Sequence, residues 1–132
     1  MTKHLSSSDI QELHILLVQT RARLMDEIRT AEADIQAAHE AREAEGGFGS
    51  DVSEITRIEE LRRSEIAIDE EQLRSIEEAE SRMSEGRYGI CMDCGRPIMR
   101  ARLLALPASV RCADCESRRT APSAGDGSER ME

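Results

Sequence analysis

The sequence predicts an all-α chain: a long antiparallel coiled-coil hairpin joined to a small cysteine-bearing head and followed by a disordered C-terminal tail. Three observations predict it. Apolar residues recur at steps of three, four and seven through most of residues 1–85, a glycine cluster interrupts them near the middle, and four cysteines fall in two close pairs between positions 91 and 115. Composition agrees. The 132 residues are 34% charged and only 2% aromatic, so material for a broad globular core is lacking and much of the fold must be thin and solvated.

The first helix is expected over residues 8–45, with Ser8 as N-cap and Gln11 completing a capping box. Ile10, Leu13, Leu17, Leu24, Ile28, Ala31, Ile35 and Ala38 form the stripe that one helix presents to another. The run Ile15-Leu16-Leu17-Val18 widens it and predicts cover on more than one side at that end. Residues 46–50, Gly-Gly-Phe-Gly-Ser, cannot continue a helix cheaply and supply the reversal. The second helix is expected over 51–85, with Ile55, Ile58, Leu61, Ile66 or Ile68, Leu73, Ile76 and Met83 facing inward and Gly86 closing it. Arms of this length extend on the order of 50 Å. The small polar residues of 121–132 predict the disordered tail.

Charge is unevenly placed. Residues 1–85 hold ten basic and twenty-one acidic side chains, a net −11, whereas residues 86–120 hold seven and three, a net +4; residues 121–132 contribute −2. The long acidic segment is repelled from bare DNA or RNA, so no stable direct nucleic-acid binding is expected. No apolar run approaches a membrane span and no export signal opens the sequence, which predicts a soluble cytoplasmic protein. No arrangement of nucleophile, base and oxyanion donors is legible, so catalysis is not expected.

The chemistry concentrates in Cys91-x-x-Cys94 and Cys112-x-x-Cys115, separated by seventeen residues. Each pair makes a short knuckle offering two thiolates, and this spacing suits one tetrahedral zinc ion in a C4 zinc-finger module over residues 86–120. Two disulfides are the competing reading; a reducing compartment favours the metal. Four protein ligands leave no open position, so the zinc is expected to be structural.

Gly86-Arg87-Tyr88-Gly89-Ile90-Cys91-Met92-Asp93-Cys94-Gly95, followed by Ile98, Arg102-Leu103, Ala105, Pro107 and the second cysteine pair, resembles the signature of the DksA/TraR C4-type zinc-finger family. The resemblance is specific over residues 86–115 and architectural over 8–85. It implies a bacterial transcription regulator, a monomer, that binds RNA polymerase directly and inserts its coiled coil into the secondary channel towards the catalytic magnesium.

Members of that family carry two acids three apart at the tip, followed two residues later by a small residue. Asp51-x-x-Glu54-x-Thr56 matches this with Glu for the second Asp and Thr for the Ala; counting back from Cys91 instead places Phe48 and Asp51 at the acidic positions and Ser53 at the small one. Asp51, Glu54 and Phe48 are therefore the tip residues expected to meet the polymerase. Asp51 and Glu54 are equally what an ordinary helix N-terminus carries. Arg96, Arg100, Arg102 and Arg111 are the expected docking face, with a solvated basic surface as the plain alternative. Tyr88 is expected to pack beside the zinc, and His4, His14 and His39 to lie at the surface. Positions that are basic in alarmone-responsive members correspond to Ser75, Leu106 and Glu116, which implies weak or no response to guanosine tetraphosphate. Two other readings remain open at this point: a zinc-stabilised interaction protein with a different partner, and a DNA-binding zinc module.

Overall fold

The structure, a computed structural model, describes residues 4–44 and 50–120, with side chains excepted at Ser50 and Asp51. The described residues form two long helices and two short ones: α1 (Ser7–Ala44), α2 (Ser50–Ser84), α3 (Arg100–Ala105) and α4 (Ala113–Thr120). Among them there is no β-strand, only an isolated bridge between Ile90 and Pro97. The all-α class, the antiparallel hairpin and the cysteine-bearing head are as expected, with helix ends one residue from those read in the sequence. The tail and the glycine turn, including Phe48, lie outside the described residues.

The cap of α1 lies two residues before the predicted one. Ser6 is the N-cap: its Oγ accepts from the Asp9 N–H at 3.0 Å, and Asp9 Oδ2 accepts from the Ser6 N–H at 3.0 Å. This is a capping box with Asp at the third helical position, and it prevails over Ser8 with Gln11 because an ionised acid there also meets the helix dipole. The Ser6 N–H and then the Arg100 guanidinium hold the Asp9 carboxyl below its ordinary range. α2 closes as the sequence predicts. Gly86 adopts φ +76, its N–H donates to Met83 O at 3.2 Å and that of Arg87 to Arg82 O at 2.8 Å, a Schellman motif.

The chain divides into two compact units. One comprises the described residues of Met1–Leu17 and Glu77–Glu132. Its core is Leu5, Leu13, Leu17, Ala79, Tyr88, Cys91, Ile98, Leu103 and Cys115, with Arg82 buried among them and donating to Ile90 O at 2.8 Å. Leu13 and Leu17 are buried as predicted, but Ile15 and Val18 are exposed. The expected cover on more than one side is absent because those two point away from the seam that Leu13 and Leu17 define. His4 is exposed yet held, its Nε2 lying 3.0 Å from Ile98 O.

Leu5 rests on Gly89, whose φ is +85 and where a Cβ would lie 2.8 Å from Leu5 Cδ1. Gly89→Ala therefore combines a left-handed backbone penalty with overpacking and should cost about 2 kcal/mol or more. Gly86→Ala, where a Cβ meets nothing within 4 Å, should cost only about 1 kcal/mol. Urea melts of the two variants check the order.

The second unit, Val18–Ile76, is the antiparallel pair itself. On α1, Leu24 and Ala31 are buried and Ile28, Ile35 and Ala38 half-buried, as the stripe predicts. α2 corrects the prediction. Its inward series is Ile55, Glu59, Arg62, Ile66, Asp69, Leu73 and Ile76, alternating steps of four and three, so Ile58, Leu61 and Ile68 point outward at 39%, 53% and 58% exposure. Only that alternation carries a seam from Ile55 to Ile76, and Ile58 and Leu61 lie one residue out of step.

Three seam positions are thus charged, and α1 answers two of them with an opposite charge. Arg42 bonds Glu59 and Asp34 accepts from Arg62 Nε at 3.0 Å, whereas Asp69 stands near the like-charged Glu27 carboxylate. Burial first, and then that carboxylate neighbour, hold the Asp69 carboxyl above its ordinary range.

Candidate metal centre

The first knuckle is a narrow loop over residues 89–98. Ile98 N–H donates to Gly89 O at 2.7 Å and Cys91 N–H to Arg96 O at 2.8 Å, which brings the chain back beside itself. Gly95, at φ +76, makes the turn, and its N–H donates to Cys91 O at 3.0 Å. The second knuckle opens α4, where Glu116 N–H donates to Cys112 O at 2.9 Å. Met92 N–H donates to Val110 O at 2.8 Å and ties the knuckles together. Tyr88 is buried as expected, and its hydroxyl donates to Pro107 O at 2.7 Å. That bond fixes the chain between the cysteine pairs, and burial raises the phenol's pKa.

These elements bring Sγ of Cys91, Cys94, Cys112 and Cys115 within 4.8 Å of one another, the only such cluster among the described residues. Cys94 Sγ and Cys112 Sγ are 3.8 Å apart. A tetrahedron with Zn–S bonds of about 2.3 Å has an edge of about 3.8 Å, so the sulfurs fit the ion. No disulfide joins them. The site is a structural zinc centre with four thiolate ligands.

The two buried sulfurs differ as acids. Burial opposes ionisation at Cys91, but the backbone N–H groups of Cys112, Cys94 and Asp93 outweigh it and bring the thiol down to about 6. At Cys115 burial is joined by the neighbouring sulfurs, and the thiol is pushed up to about 12. Zinc takes both as thiolates, so metal binding releases protons.

The arginines of the expected docking face have internal duties. Arg100 donates to Asp9 Oδ1 at 3.0 Å and lies 4.0 Å from Glu12. Arg102 Nε donates to Arg111 O at 3.2 Å, and Arg111 Nε to Asp93 Oδ2 at 2.8 Å. Arg96 is exposed. Far from the cysteines in sequence, Glu54 is exposed and bonded to Arg57, whereas the Asp51 side chain lies outside the described residues. Sequence reasoning missed Arg82 and Arg118. Nη2 of Arg118 lies 3.4 Å from Cys115 Sγ, and the sequence signal was its place three residues beyond a ligand on a helix.

Comparison with known proteins places this geometry. An uncharacterized protein of Aquifex aeolicus (strain VF5) is 29% identical over 100 residues, spanning 75% of this chain and 68% of that protein. The solved structure of transcription factor DksA2 from Pseudomonas aeruginosa shares the fold, with a TM-score of 0.74 at 21% identity over 86% of this chain and 84% of that one. Residues 86–121 match the family described as the prokaryotic dksA/traR C4-type zinc finger. The four-cysteine head therefore matches the dksA/traR C4-type zinc finger, carried on a chain with the fold of DksA2.

Proposed function

We propose that this protein regulates transcription by binding RNA polymerase directly and is not itself an enzyme. The observation that supports this most is the joining of a DksA/TraR zinc finger to an antiparallel hairpin in one DksA2-like fold. In this reading the head docks at the rim of the secondary channel and the acidic hairpin enters it. Asp51, Glu54 and Phe48 then reach the active-site region and shift the stability of the open complex.

Carboxylates suit the task, since a divalent magnesium ion prefers oxygen ligands. The exposed Glu54–Arg57 pair is weakly held and exchanges readily for a partner's cation. Arg96 is the head cation placed to dock, because Arg100, Arg102 and Arg111 are engaged within the chain. Those same engagements, with the net −11 of residues 1–85, weigh against DNA as the partner. The reading includes a cytoplasmic monomer acting with little or no help from guanosine tetraphosphate. No helix among the described residues is long and apolar enough to cross a membrane.

The test pairs binding with activity. The zinc-loaded chain should bind purified polymerase at micromolar concentration or below and alter transcript yield in vitro. Asp51→Asn should retain binding and lose most of the effect on yield. Absence of binding at about 100 μM, a free energy weaker than about −5.5 kcal/mol, would overturn the polymerase reading; an unchanged effect from Asp51→Asn would overturn the tip mechanism alone.

A further inference from the structure

We infer that Arg118 is part of the zinc site: its guanidinium donates a hydrogen bond to the Cys115 sulfur and slows loss of the metal. The inference concerns the residence of the zinc and is independent of the polymerase reading.

Zinc with four thiolates carries a net charge of −2, and here two of those sulfurs, on Cys91 and Cys115, are buried. Buried negative charge needs donors or cations beside it. Cys91 has backbone ones, among them the Cys94 N–H at 3.5 Å from its sulfur. On Cys115 the donor is a side chain, Arg118 Nη2 at 3.4 Å. The local fold dictates this contact. Cys115 and Arg118 are three apart on α4, so their side chains share a face, and a long side chain on a helix leans back towards the preceding turn.

The adjacent arginine serves as an internal contrast. Arg119 lies on another face of α4 and pairs with Glu116 at 3.6 Å. Two neighbouring cations of equal charge thus have different targets, one a ligand sulfur and the other a surface carboxylate. A guanidinium hydrogen-bonded to a thiolate withdraws charge from it and makes it a poorer target for a proton or a competing electrophile. Such attack on a ligand sulfur is how a closed four-thiolate site begins to open.

The experiment follows zinc transfer from the full-length, zinc-loaded chain to an excess of a chromogenic chelator. Arg118→Gln should release zinc roughly 10-fold faster than the parent, the lower end of the effect expected for a partner of a metal ligand. Arg118→Lys, which keeps the charge, should recover part of the difference, and Arg119→Gln should release at the parent rate. Release from Arg118→Gln at the parent rate, or an equal acceleration by Arg119→Gln, would overturn the assignment. Zinc content after dialysis covers a variant too leaky to load. Loss from Arg118→Gln with full retention by Arg119→Gln supports the assignment, and equal loss from both overturns it.

Discussion

Removing zinc with a chelator should abolish the tertiary structure of residues 88–120, and Cys115→Ser should do the same. The module cannot hold itself by burial. Residues 86–121 fall below the roughly 40 at which a chain commonly sustains its own core, and the buried apolar side chains they contribute, cysteines aside, are Tyr88, Ile98 and Leu103. The helices are equally weak alone. α3 has six residues with no side-chain cap bond and α4 has eight, both short of the dozen or so at which an isolated helix becomes even marginal in water.

What remains to order these residues is the metal, whose binding free energy in small zinc modules is about 10 kcal/mol or more and is in effect folding free energy. Hydrogen exchange reads the outcome directly. The Cys91, Met92 and Ile98 amides, which donate to Arg96 O, Val110 O and Gly89 O, should lose protection on chelation and regain it when zinc is added back. Protection that survives chelation would show that the head folds without its ion. Far-UV circular dichroism is a poor substitute, because α3 and α4 together contribute 14 helical residues against 73 in α1 and α2.

The head was legible because its constraint is local and chemical. Two C-x-x-C pairs at a suitable spacing have few alternatives, and Gly86 and Gly95 mark backbone turns that need positive φ. α1 was legible because its regular stripe, from Leu13 to Ala38, lies on its seam, with Ile15 and Val18 pointing away. α2 was misread between Ile58 and Asp69 for a physical reason: sequence reading assigns inward positions to aliphatic residues, whereas an α1 partner across the seam lets a charged residue occupy one. Arg42 and Asp34 are 17 and 28 positions from Glu59 and Arg62, and nothing local reveals such pairings. Arg100 escaped in the same way, since its carboxylate Asp9 lies 91 positions away.

Arg42→Ala should destabilise the helical pair by about 3 kcal/mol, a large effect for one half-exposed side chain. Glu59 is only 2% exposed, its Oε1 is bonded to Arg42, and its Oε2 is buried with no hydrogen-bond partner among the described residues. Truncating Arg42 removes the charge that compensates this carboxylate and leaves a buried anion, the costly way to break an ion pair. The lower end of the usual range applies because Arg42 keeps 29% of its side chain in solvent, so water reaches part of the gap.

Replacing the acid as well removes the buried anion. Arg42→Ala/Glu59→Leu should recover most of the loss, since an apolar residue at a seam position leaves no charge to compensate. Urea unfolding of the parent, both single variants and the double variant closes the cycle, and a double variant as unstable as Arg42→Ala would refute the buried-anion account. The pair adds specificity at this position. Sliding the helices past one another would separate Glu59 from Arg42 and Arg62 from Asp34 while leaving aliphatic residues opposite aliphatic ones, so the charged positions penalise wrong registers that the aliphatic seam tolerates. Glu59→Leu alone should therefore be close to neutral in stability yet relax the register, which cysteine cross-linking across α1 and α2 would detect as pairs absent from the parent.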